Sequence, residues 1–388
     1  MAITIYTEPA GVTSPYRPVY FDCSSDLGTI TSMIADVYTD GSLVSTIDVD
    51  PILGETDQFR IEIGEVLKKQ LTSEFNESVA SLNAFDQTTS AKQYYVRLFE
   101  VYTSGSVLDT SWTEEGAGVG YEQSSTLYTH NLIFQHEQKD TASDYALLNS
   151  SALFQTNRPQ LSNVSRAEFL YFGGTIVPSN PQMKFQLDVY TGANGGGSSS
   201  STTSSNVQST NRKVNYCVDV SAISTTRKSL GVTAYDSTST QRSAEFIVNI
   251  IDSCDDDVIM YWQNHYGFFD SYTFRGRYRE KTKNKKRSIE KRLALDYAIS
   301  DRGETDISNE NERSFEIYSQ TESKAVIKWL AEIGESVDVR IKKTIDGSIE
   351  FLPVNVTSVS STIEDSDRVI HQIKVNYKLS NKRINQLG

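Results

Sequence analysis

Hydrophobic and polar positions alternate along much of this chain with the two-residue period of half-buried strands. Ile30–Val37, Asp40-Gly41 and Leu43–Val49 read as strand, tight turn and strand, because both turn positions need positive φ. Phe59, Ile61 and Ile63 alternate, and then Ile63, Val66, Leu67 and Leu71 recur at helical spacing, which predicts one short amphipathic helix. Tyr94–Tyr102 is nearly continuous in apolar residues and predicts a central strand. Further strand patterns cover Glu168–Tyr171, Met183–Val189, Tyr216–Val220, Gly231–Tyr235 and Phe246–Ile251.

The last third changes character. Ser319-Gln-Thr-Glu322 has the form of a capping box, ahead of Val326, Trp329, Leu330 and Ile333 on one helical face, with Gly334 as the stop. Val337, Val339 and Ile341 alternate, Asp346-Gly347 is a second hairpin turn, and Val369, His371, Ile373, Val375, Tyr377 and Leu379 line one face of a final strand. The expected fold is mainly β: tandem antiparallel β-sandwich-like domains with a C-terminal α+β unit, one helix on a small antiparallel sheet. The expected boundaries are 1–140 for an N-terminal β-sandwich with one short helix, 141–258 for a second β domain, and 259–388 for the α+β domain. Whether the middle unit is separate or inserted is left open by the pattern. The segment Gly192–Thr210 is almost all Gly, Ser and Thr, with little to bury, and is expected to be a flexible loop between two strands.

Composition supports the β reading. The chain has 388 residues, 38% hydrophobic and 22% charged, with 21 Tyr and 16 Phe against 4 Met and 8 Pro. Abundant aromatic, Ser, Thr and β-branched residues suit pleated surfaces. The net charge of −13 argues against nucleic acid as the chief partner, which would need a cationic surface. No apolar run approaches the roughly 20 residues that span a bilayer, so no membrane partner is expected. MAITIYTEP lacks the basic start and apolar core of a secretory signal, so synthesis and folding in a cytoplasm are expected.

Candidate chemistry is sparse. Cys23, Cys217 and Cys254 are far apart and odd in number, which suggests neither a disulfide framework nor a zinc site. His130 and His136 have no helical metal-pair spacing, His265 has no obvious acid partner, and His371 falls in phase with apolar neighbours. Gly116–Gly120 opens no helix and reads as a surface loop rather than a phosphate cradle. Asp255–Asp257 lacks the alternation of a calcium loop and reads as a solvated acidic turn. Trp262 and Trp329 read as core, and Trp112 as exposed. No catalytic, cofactor-binding or metal residue is assigned.

The stretch that stands out is Tyr261–Arg292. Its first half holds Tyr261, Trp262, Tyr266, Phe268, Phe269, Tyr272, Phe274 and Tyr278 around Gly267; its second half holds ten Lys or Arg from Arg275 to Arg292 against Glu280 and Glu290. Arg275, Arg277 and Arg279 alternate as cations on one strand face would. Three readings stand: a subunit interface, a solvated edge, or a nucleic-acid groove. The interface is favoured, with Arg275, Arg277, Arg279, Lys283, Lys285, Lys286 and Arg287 as its candidates. Trp262, Asn264, Gly267, Asp270 and Phe274 are candidates for a structural aromatic corner.

The order Tyr261-Trp262-Gln-Asn264-His-Tyr-Gly267-Phe-Phe-Asp270-Ser-Tyr272-Thr-Phe274 resembles a segment of tail proteins in tailed phages that infect Bacteroidota. Phe154-Gln-Thr-Asn157-Arg-Pro159, the short helix near Gly64–Glu74 and the Trp329-Leu330 pair are similar to other parts of that family. The resemblance implies a non-enzymatic virion structural protein: a ring, baseplate or tail-tip component, assembled in the host cytoplasm. Its partners would be other tail proteins and copies of itself in a homo-oligomeric ring. A rival reading is a carbohydrate-binding, receptor-binding module at the tail tip.

Overall fold

The computed structural model describes residues 3–9, 12–13, 18–25, 30–72, 83–86, 91–104, 107–108, 121–128, 149–175, 182–208, 213–254, 256–290, 304–361 and 371–380, with a few single positions between them. The chain is mostly β, in several antiparallel sheets, with one short helix near the C-terminus. It divides into two compact units, Met1–Asp252 with Gln263–Ser271, and Ser253–Trp262 with Tyr272–Gly388.

The first unit contains two cores. In one, a three-stranded sheet of Ile3–Thr7, Tyr20–Ser25 and Gln58–Glu62 accompanies a larger sheet built on Ala91–Ser104, Ile30–Thr39, Ser42–Val49 and Tyr121–Tyr128. Phe21, Met33, Val37, Phe59, Ile61, Tyr94, Val96 and Leu98 fill it, and Leu67 of the helix Gly64–Lys68 packs in. Gln58–Glu62 buries every second residue, as its alternation predicts. Ala91–Ser104 lies inside its sheet, between Tyr121–Tyr128 and Ile30–Thr39. Asp40 and Gly41 turn the hairpin at φ 48° and 79°, the left-handed pair expected of a two-residue loop.

The second core lies between a sheet ordered Asn163–Ser165, Phe246–Ile251, Ser229–Asp236, Gln182–Tyr190, Ser199–Thr203 and a sheet ordered Phe169–Thr175, Lys213–Asp219, Asn83–Asp86. The expected flexible loop is different in the structure. Within Gly192–Thr210, Ala193–Gly195 forms a 3-10 turn, and Ser199–Thr203 pairs antiparallel with Gln186–Tyr190 as an edge strand. Its five side chains are all exposed, so no hydrophobic period marks it. Backbone pairing and the strand preference of Thr suffice.

The second unit is built on a seven-stranded sheet, ordered Phe269–Phe274, Val258–Gln263, Val339–Ile345, Ser348–Ser361, Ile373–Leu379, Glu304–Tyr318, Tyr278–Glu290. The helix Lys324–Leu330 buries Val326, Ile327, Trp329 and Leu330 in its core, and a 3-10 turn, Ala331–Gly334, ends it. Trp329 lies 5.0 Å from Trp262 between ring centroids. The expected capping box is displaced by one turn. Ser323 is the N-cap, and its hydroxyl accepts from the Val326 amide at 3.4 Å. Ser319 instead accepts from the Ile373 amide at 3.0 Å, and Glu322 accepts from the Tyr272 hydroxyl at 2.7 Å. Asp346 and Gly347 turn at φ 50° and 81°. Ile373, Val375 and Tyr377 are buried as their alternation predicts, whereas His371 makes an isolated bridge with Glu322.

Candidate functional site

Within the first unit, the loop after Trp262 is built by Asn264. Its side-chain oxygen accepts from the Tyr266 amide at 3.0 Å and the Phe268 amide at 3.1 Å, and its backbone N–H donates to Phe268 at 2.7 Å. Gly267 completes the turn at φ 77°, a conformation that favours glycine. The Asn264 amide nitrogen donates to the Gln155 carbonyl at 3.1 Å, and Tyr266 donates to Asn157 at 3.4 Å. Asp270 accepts from the Thr156 hydroxyl at 2.8 and 2.9 Å to its two oxygens. Phe269 meets Phe75 edge-on at 4.8 Å.

Arg158 continues the network. Its buried guanidinium donates to the Ser271 carbonyl at 3.0 Å, the Ser162 hydroxyl at 3.0 Å and the Asn163 carbonyl at 3.1 Å, and lies 3.8 Å from Glu168. Glu168 accepts from the Ser165 amide at 2.9 Å and the Ser271 hydroxyl at 3.0 Å. A buried carboxylate or guanidinium is tolerated only when so answered. The arrangement clamps loop to loop. His265 is buried beside it, and burial pushes its pKa below the ordinary value.

The corner candidates are therefore placed in two settings. Asn264, Gly267 and Asp270 belong to this polar clamp in the first unit, and Trp262 and Phe274 to the hydrophobic core of the second. Sequence reasoning took Thr156 and Arg158 only as part of the stretch Phe154–Pro159, without a role, and passed over Gly173. A Cβ on Gly173 would lie 2.1 Å from the Phe268 ring. The signal was the Gly173-Gly174 pair inside a strand, which marks a close approach. Arg166 was also missed; it donates to the carbonyls of Ile223, Ser224, Thr225 and Arg227 and pairs with Asp252 at 2.9 Å.

The basic stretch is a strand of the second unit. Tyr278–Glu290 pairs along its length with Glu304–Tyr318, but only Phe315–Tyr318 of that partner pairs with the next strand, Ile373–Leu379. Among the described residues, the rest is a two-stranded ribbon extending past the sheet. Twelve of the thirteen side chains of Tyr278–Glu290 are exposed. The register sets Arg279 opposite Glu316, Lys283 opposite Glu312 and Lys285 opposite Glu310.

Glu316 is the hub at the ribbon's base. It binds Lys281 at 2.8 Å and Lys374 at 3.2 Å, lies 4.0 Å from Arg279, and accepts from the Tyr318 hydroxyl. Hydrogen bonds from Lys281, Tyr318 and Lys374 lower its pKa to about 2. Glu312 binds Lys378, which holds its pKa below the ordinary value.

Two expectations change here. Arg275 and Arg277 precede the strand, so of the three only Arg279 lies on it. Arg275 pairs with Asp257 at 3.1 Å, their side chains 12% and 5% exposed. Asp257 is thus no solvated acid; its carboxylate also accepts from the Cys254 amide at 2.8 Å. A carboxylate so desolvated needs a cation, and Arg275 supplies it. Arg277, Lys283, Lys285, Lys286 and Arg287 are exposed.

Trp112, Gly116–Gly120, His130, His136, Asp255 and Val369 lie outside the described residues. Among the described residues, no helix is long and apolar enough to cross a membrane.

No family model matches this sequence, and no curated protein matches it. Solved structures of the plexin A4 extracellular region align at 8% identity, one of domains 1 to 8 at TM-score 0.19 and one of domains 1 to 10 at 0.20. Both alignments cover 99% of this chain, which spans 40% and 31% of those chains. A likeness at those scores carries no argument about fold or activity.

Proposed function

We propose that this chain is a non-enzymatic structural subunit of a phage tail, a ring or baseplate component that assembles with copies of itself and with other tail proteins. The observation that carries the reading is the ribbon Tyr278–Glu290 with Glu304–Tyr318, which leaves the basic strand exposed along nearly its whole length. Two-stranded hairpins are marginal alone in water. A long one with strongly charged strands suits docking onto a neighbour.

The polar clamp supports the same reading from another side. The two stretches that resemble tail proteins hydrogen-bond to one another through Asn264 with Gln155 and Asp270 with Thr156. Their polar groups are engaged in holding loops together, as those of a scaffold would be. The test is mass spectrometry of purified particles of a phage whose genome encodes the chain. It should be found in the tail in ring-like copy number, and a particle lacking it would end this reading.

A further inference from the structure

The ribbon has two edges of opposite charge. Tyr278–Glu290 carries Arg279, Lys281, Lys283, Lys285, Lys286 and Arg287 against Glu280 and Glu290. It is the last strand of its sheet, so among the described residues no strand flanks its outer edge. Glu304–Ser314 carries Glu304, Asp306, Glu310 and Glu312 against Arg313. Among the described residues, it pairs only with the basic strand, since pairing to Ile373–Leu379 begins at Phe315.

We infer that the basic edge of one copy pairs with the acidic edge of a second copy, continuing the ribbon's sheet from subunit to subunit. This rests on the assembly reading above and specifies its contact. An open strand edge offers a row of backbone donors and acceptors to any extended chain. Here charge selects the occupant. Two basic edges repel, as do two acidic ones, whereas the unlike pair repeats between chains the register that sets Lys283 opposite Glu312 within one. Lysines on an edge commonly serve to prevent pairing; against an acidic strand the same lysines favour it. Because the two edges are different surfaces, the contact is head-to-tail, and its repetition gives a closed ring or an open helical row.

The test uses the full chain in unlabelled and 15N-labelled forms, mixed and treated with a carbodiimide that joins amines to carboxylates. Conjugates containing one label of each kind should link 278–290 to 304–314. A variant carries Lys285→Glu, Lys286→Glu, Arg287→Glu, Glu304→Lys, Asp306→Lys and Glu310→Lys together, which reverses the net charge of both strands, keeps unlike charges across the 285–310 pair and leaves Glu312 with Lys378. It should cross-link with itself as well as the natural chain does. Mixed with the natural chain, its inter-copy yield should fall by about tenfold or more, because both possible edge contacts then oppose like charges. Equal yields in all mixtures would overturn the inference. Sedimentation as an oligomer, with mixed-label conjugates only at other positions, would overturn the edge contact and leave the assembly reading standing. A single-copy mass with no mixed-label conjugates anywhere would overturn both.

Discussion

The hydroxyl of Thr156 donates to both oxygens of Asp270, 114 positions along the chain, at 2.8 and 2.9 Å. Asp270 is 3% exposed, so this is a charge-assisted bond in a place that water scarcely reaches. Losing one partner of such a bond leaves the other desolvated. Thr156→Val should therefore destabilise the first unit by about 1–3 kcal/mol. A double-mutant cycle with Asp270→Asn, followed by urea unfolding, should show coupling; additive effects would show that the two residues act separately.

The approach of Phe268 to Gly173 leaves no room for a methyl group. Gly173→Ala should cost about 1–3 kcal/mol by overpacking. Adding Phe268→Leu should recover part of that loss, read as a rise in thermal midpoint over the single variant. No recovery would mean that the strand tolerates the methyl by moving elsewhere.

Trp329 holds the helix to its sheet through Trp262 and Tyr272, at 5.0 and 6.2 Å between ring centroids. Trp329→Ala should destabilise the second unit by about 3–5 kcal/mol. Chemical denaturation followed by tryptophan fluorescence would measure it. A loss below about 1 kcal/mol would contradict the packing described.

Glu316 gives the second unit an acid sensitivity of known sign. Bonds from Lys281, Tyr318 and Lys374 lower its pKa from 4.5 to about 2. A carboxyl whose folded-state pKa is depressed contributes stability that is fully present above its unfolded pKa and fades as pH falls through the folded one. The contribution should be complete above 4.5 and lost toward about 2. Glu316→Gln should flatten that part of the stability profile, measured as urea midpoints at stepped pH. An unchanged slope would show that Glu316 is not the group that titrates.

The elements most readable in the sequence are those with one face buried or a turn requiring positive φ. Asp40-Gly41, Asp346-Gly347, Phe59 with Ile61, and the face of Val326, Trp329 and Leu330 all carry such a mark. The ribbon does not. Its basic strand has water on both faces, so no two-residue period distinguishes it from a charged loop, and only Arg275, Arg277 and Arg279 suggested extension. Two of those three precede the strand. Ser199–Thr203 escaped for the same reason. The clamp was half legible: Asn264, Gly267 and Asp270 stood out within one stretch, but Thr156 and Arg158 are distant in sequence and meet them only through the fold.

If the ribbon docks copies of this chain on one another, shortening it should separate them. Sedimentation velocity should compare the full chain with one in which residues 284–311 are replaced by Asn-Gly, a two-residue turn that closes the shortened hairpin. An oligomeric mass is expected for the full chain and a single-copy mass for the shortened one, with unchanged thermal unfolding of the remaining cores. The same mass for both, whether one copy or many, would contradict docking through the ribbon.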